Sequence, residues 1–132
     1  MSDENEITTP SDEAFRAALD KGIAEFNRKD FFQCHETLED LWRVYHGPER
    51  ECIQGVIQIA VGYYHHGRGN QVGALKLLRR GLERVRKFEP CCLSLDTKAL
   101  ADAVSLDIEH LCQPSADAAP TLKVPPIGYV AD

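Results

Sequence analysis

The chain contains one tryptophan, one methionine and an aromatic share of only 8%, so its core must be built mainly from aliphatic side chains. Its longest apolar stretch, Ile53 to Tyr64, is interrupted by Gln54, Gln58 and two glycines and falls short of the roughly 18 residues of a membrane span. No alternating apolar–polar run marks a strand. The five cysteines are odd in number and include no CxxC pair, and Cys91 and Cys92 are adjacent, a spacing that disfavours a bridge between them. Reduced thiols are therefore expected, the interior ones acting as small hydrophobes. An excess of basic charge is also missing. The formal charge of -6 argues against general nucleic-acid binding. The opening MSDENEITTP is acidic and polar, unlike a signal or transit peptide, so a cytoplasmic location without a membrane partner is expected.

What the chain does have is helical periodicity. Its 132 residues suffice for one domain with a real core. After a charged tail over 1–9, Thr9 as N-cap and Pro10 at the first helical position open a helix. Phe15, Leu19, Ile23 and Phe26 repeat along it at helical spacing. Asp30 caps a second helix that ends near Tyr45, before Gly47 and Pro48. The third, from Pro48 to His66, is apolar almost all round and is expected at the centre of the bundle. Asn70 caps a fourth helix reaching about Phe88, and Asp96 caps a fifth that ends near Cys112. The fold class predicted is all-α: a compact bundle of about five helices in antiparallel hairpins over 10–112, with an extended Pro/Ala-rich arm over 113–132. Leu122, Val124, Ile127 and Tyr129 give that arm a means of packing back.

The chemistry concentrates on the second helix, where His35, Glu39 and Trp42 stand at i, i+4 and i+7 on one face. Side chains one turn apart lie ~5–6 Å from each other at Cβ and can share an ion. Two ligands are half of a divalent-metal site, so the rest must come from elsewhere. On the third helix Gln54, Gln58 and His65 form a polar stripe, and a buried polar group without a partner costs ~1–3 kcal/mol. The two stripes are therefore expected to face each other across a polar pocket, with His35, Glu39 and His65 as metal ligands and Trp42 as a wall. A purely structural His35–Glu39 pair, with Trp42 as a core anchor, is the competing reading and the more common outcome. The turn from His65 to Asn70 is a second place to look, because Arg68 and Asn70 beside the free N–H groups of helix four suit an anion. Against that stands an ordinary glycine turn.

The stretch Phe32 to Trp42, with its HxxxExxW pattern, resembles the bacterial, archaeal and plastid-lineage family called domain of unknown function 309. The Gln54–Ala60 block and the blocks from His65 to Asn70 and at Gly73-Ala74 resemble that family's other shared segments, so the likeness runs from about Phe26 to Val85. It implies a small helical cytoplasmic domain with His35 and Glu39 as metal ligands, and no established activity. The functional expectation is a pocket between helices two and three that takes a divalent metal or a small ligand. The alternative is an adaptor related to a tetratricopeptide hairpin, suggested by Gly62, Gly69 and Ala74. No catalytic nucleophile is visible. The sequence specifies no partner and leaves a homo-oligomer open.

Overall fold

The computed structural model describes residues 11–113 and 121–130. Five helices follow in order: α1 (Asp12–Asn27), α2 (Phe31–Val44), α3 (Arg50–Gly67), α4 (Gln71–Arg86) and α5 (Thr97–Cys112). Each packs against the next in the chain, and α3 with α4 forms the most extensive pair. The all-α bundle expected from periodicity is the architecture observed.

The helix starts obey local chemistry. Asp30, Asn70 and Asp96 each accept a backbone N–H three residues on, as the sequence implied. The first cap differs: Ser11 accepts from Ala14 N at 3.1 Å, while Thr9 and Pro10 lie outside the described residues. Asp12 and Glu13 then fall in the first turn, beside the positive end of the helix dipole.

Helix α3 is the axis of the molecule. Cys52, Ile53, Val56, Ile57, Ile59, Ala60 and Tyr63 are all buried along it. Its glycines set how closely α4 approaches. A Cβ added at Gly81 would stand 2.6 Å from the Gly55 carbonyl oxygen, and one at Gly62 would strike Leu78. The two backbones therefore cross where side chains are absent.

Residues 121–130 run extended and dock on the bundle, as the apolar residues of the arm suggested. Leu122 and Ile127 are buried. The Asn27 side chain holds Ile127 at both main-chain groups, accepting its N–H at 2.8 Å and donating to its carbonyl at 3.0 Å. Val130 N donates to Ser94 O, and Asp96 N donates to Gly128 O. Asp107, with no exposed surface, accepts from Tyr63 Oη at 2.6 Å, Lys123 N at 2.8 Å and Val124 N at 3.0 Å. One carboxylate thereby joins α3, α5 and the arm.

Candidate functional site

His35 and Glu39 meet as their spacing demands, His35 Nε2 lying 2.7 Å from Glu39 Oε1. Both are about one-third exposed (31% and 33%), so the pair sits at the edge of the bundle and not within it. Glu36 Oε2 lies 3.6 Å from His35 Nδ1, and Arg43 reaches the second Glu39 oxygen at 3.7 Å. A carboxylate on one ring nitrogen fixes the orientation of the imidazole.

Across from His35, α3 does not present the expected glutamines. A cleft of about 210 Å³ between the two helices is lined by Phe31, Phe32, His35, Val61, Tyr64 and His65. Its walls are apolar rings and an aliphatic side chain. The polar pocket expected from the sequence is thus an aromatic cleft edged by two imidazoles. Phe32 and Tyr64 face each other with ring centroids 6.0 Å apart, and Phe31 stacks at a tilt on Tyr63 at 5.6 Å.

Gln58 is turned toward α4, where its Oε1 accepts from Arg84 Nε at 3.1 Å. Arg84 and Lys87 also reach Glu51 Oε2, at 3.1 and 2.9 Å. The arginine-rich face of α4 thereby recruits the stripe that was expected to face α2. Gln54, half-buried one turn earlier, does not line the cleft.

Trp42 also departs from expectation. Two turns beyond His35, about 10 Å along the helix axis, it lies outside the cleft lining. The Arg50 guanidinium stands over its ring at 3.7 Å, and Arg50 Nε donates to the Trp42 carbonyl at 3.0 Å. This latch ties the end of α2 to the start of α3. The indole Nε1 is buried without a partner among the described residues.

Of the proposed metal ligands, His35 and Glu39 are bonded to each other, and His65 shares the cleft with His35. His65 Nδ1 is 3.5 Å from Asn70 Nδ2. No group of three His, Cys, Asp or Glu side chains among the described residues is close enough to hold one ion. His35, Glu39 and His65 are thus not gathered into one three-ligand set among the described residues. Asn70 is committed to its cap, accepting from Gly73 N at 2.9 Å, and so occupies the N-terminus where an anion was expected. Arg68 instead turns toward the Tyr64 ring, 5.6 Å from its centroid.

A second cavity, about 400 Å³, adjoins the cleft through the shared residues Phe31, Phe32 and Tyr64. Lys29, Asp30, His66, Arg68 and the arm residue Val124 complete much of its lining. The sequence reading missed Lys29 and Val124. Lys29 sits in a linker at φ +66, a conformation rare for non-glycine residues, and Val124 is distant in the chain.

Fold and surface together define a five-helix bundle with an aromatic cleft between its second and third helices. Residues 19–77, from within α1 into α4, match the family described as Domain of unknown function (DUF309). This is the family that the HxxxExxW pattern and the glutamine block resemble. The chain is also similar to the "Uncharacterized protein YpuF" of Bacillus subtilis (strain 168), with 39% identity over 62 residues. The alignment covers 46% of this chain and 36% of that relative. Neither name carries an activity. No helix among the described residues is long and apolar enough to cross a membrane.

Proposed function

We propose that the α2/α3 cleft is a small-ligand-binding site whose aromatic walls, with the rings of His35 and His65 at its edge, hold an apolar body. One observation carries this reading: two imidazoles from different helices border one apolar cleft, and Glu39 orients the first of them. Phe32, 55% exposed, gives the cleft an open wall. A ligand covering these rings removes apolar surface from water at ~25 cal/mol per Å².

The test is an amide NMR titration with a set of single-ring aromatic compounds. Binders should shift Phe32, His35, Val61, Tyr64 and His65 together, and His35→Ala should weaken them. Binders that shift other regions, or no binder at all, would remove the proposal. The same titration with zinc addresses the metal reading, which requires coupled changes at His35, Glu39 and His65. An adaptor with a purely structural His35–Glu39 pair makes the opposite prediction: His35→Ala lowers stability and leaves the binding of small compounds unchanged.

A further inference from the structure

The larger cavity combines cations with aromatic rings. Lys29 and Arg68 both line it, and neither makes an ion pair or a side-chain hydrogen bond to any other described residue. His66 lines it as well, with its Nδ1 2.8 Å from Gln71 Oε1. The acid in the lining is Asp30, whose Oδ1 is taken up by the N-cap of α2, accepting from Gln33 N at 3.4 Å. Arg84 and Arg86 of α4, and Lys87 just beyond it, do have carboxylate partners. Lys29 and Arg68, without a carboxylate partner among the described residues, stand beside the rings of Phe31, Phe32 and Tyr64 and form a surface that is cationic at one end and apolar along its length. That continuity reaches His35 and His65, because the three rings belong to both cavities.

We infer that this groove binds a small anionic amphiphile. A carboxylate or phosphate monoester head would lie between Lys29 and Arg68, and an apolar tail would follow Phe32 and Tyr64 toward His35. The inference rests on the ligand reading of the α2/α3 cleft and names the chemistry of what enters it. Hydrogen bonds between ionised groups are the stronger kind, and a guanidinium can hold two anion oxygens at once. Val124 gives the groove a wall from the docked arm. Its φ of +50 is an outlier for a β-branched residue, and Asp107 keeps it there by accepting both the Lys123 and Val124 amides. A tail packed on Val124 therefore steadies the arm, so binding should slow hydrogen exchange at the Lys123 and Val124 amides.

The experiment is an amide NMR titration of the full chain with decanoate, decyl phosphate and decanol. The two anions distinguish the sources of the head, and decanol reports the apolar contribution alone. Saturable binding of at least one anion is expected, shifting Phe32, Tyr64, Gly67 and Val124, with decanol about ten-fold weaker or worse. Lys29→Gln with Arg68→Gln should bring the anion down to the affinity of decanol. Both residues are exposed, and an unchanged far-UV circular dichroism spectrum would verify the fold. Phe32→Asp, a change at an exposed site, should abolish anion binding. If decanol matches decanoate, or the double variant keeps its affinity, the anionic assignment is overturned while the cleft reading stands. If none of the three compounds shifts these amides, the amphiphile inference is overturned, while the cleft reading is decided by the single-ring titration.

Discussion

The two sides of α3 are built on opposite terms. Toward α4 and the buried carboxylate of α5, backbones meet closely and the central polar group is satisfied. Gly55, Gly62 and Gly81 let backbones touch, and Asp107 satisfies three donors in complete burial. Toward the N-terminal half of α2, rings remain partly uncovered and the polar pair is one-third exposed. Interior groups are closely packed and expensive to leave unpaired. An arrangement that leaves aromatic surface open beside oriented imidazoles is what a binding face requires. The same helix thus serves as a rigid keel on one side and as the wall of a cleft on the other.

The largest test of this contrast is Asp107→Ala. It orphans the Tyr63 hydroxyl and two main-chain N–H groups, each costing ~1–3 kcal/mol when buried. A loss of about 3 kcal/mol or more is expected in chemical denaturation, with faster exchange at the Lys123 and Val124 amides. Burial and the carboxylate of Asp107 raise the Tyr63 phenol well above its ordinary range, so the hydroxyl remains a donor throughout neutral pH. A change below about 0.5 kcal/mol, the usual range of surface substitutions, would mean that the arm is held by its apolar contacts alone.

Next in size is Gly81→Ala. The new methyl would lie 2.6 Å from the Gly55 carbonyl oxygen and 2.9 Å from Ile59 N, both backbone atoms that cannot rotate away. Overpacking of this kind costs about 1–3 kcal/mol. The thermal midpoint should fall accordingly, while amide shifts at Phe32 and Tyr64 stay near their original positions. Spread of the perturbation across α3 into the cleft would break the proposed division.

On the open side, Glu39→Gln should cost no more than about 1 kcal/mol, because a pair one-third exposed to solvent gains little from its charge. Its measurable effect belongs to His35, whose ring loses the carboxylate on Nε2. The expected signature is a changed imidazole ¹⁵N shift with little change in melting. A loss of several kcal/mol would favour the purely structural reading of the pair.

Much of the bundle was legible because helix caps and apolar periodicity are local. Asp30, Asn70 and Asp96 act through the residues three places along, and α3 was recognisable as central from its near-continuous apolar sequence. The contact between His35 and Glu39 was equally local. What failed was pairing between helices. Gln58 was expected to face α2, and which side it takes depends on the rotation of α3. That rotation is set by Gly55 and Gly62 of α3 meeting Gly81 and Leu78 of α4, which brings Arg84 to the glutamine. Asp107 was invisible for a related reason: an aspartate in an amphipathic helix reads as surface until a segment some 16 residues later supplies its N–H groups. Trp42 was noticed, but its partner Arg50 lies across a turn whose geometry no periodicity encodes.

The smallest effect expected lies at Glu51, on the solvent edge of the keel side. Hydrogen bonding to Lys87, with the added charge of Arg84, holds its carboxyl below the usual carboxylate range. A carboxyl depressed in the folded state stabilises the fold above its unfolded pKa and loses that contribution as the pH falls through the folded one. Wild type should therefore melt slightly above Glu51→Gln at neutral pH, and the two should converge in acid below the ordinary carboxylate range. Because these charges are solvent-facing, raising the salt concentration should shrink the neutral-pH difference as well. A gap that persists undiminished through acid and salt would show that Glu51 acts through packing. The surface of the α3/α4 pair would then belong to the same rigid unit as its interior, and the boundary between keel and cleft would have to be drawn further out.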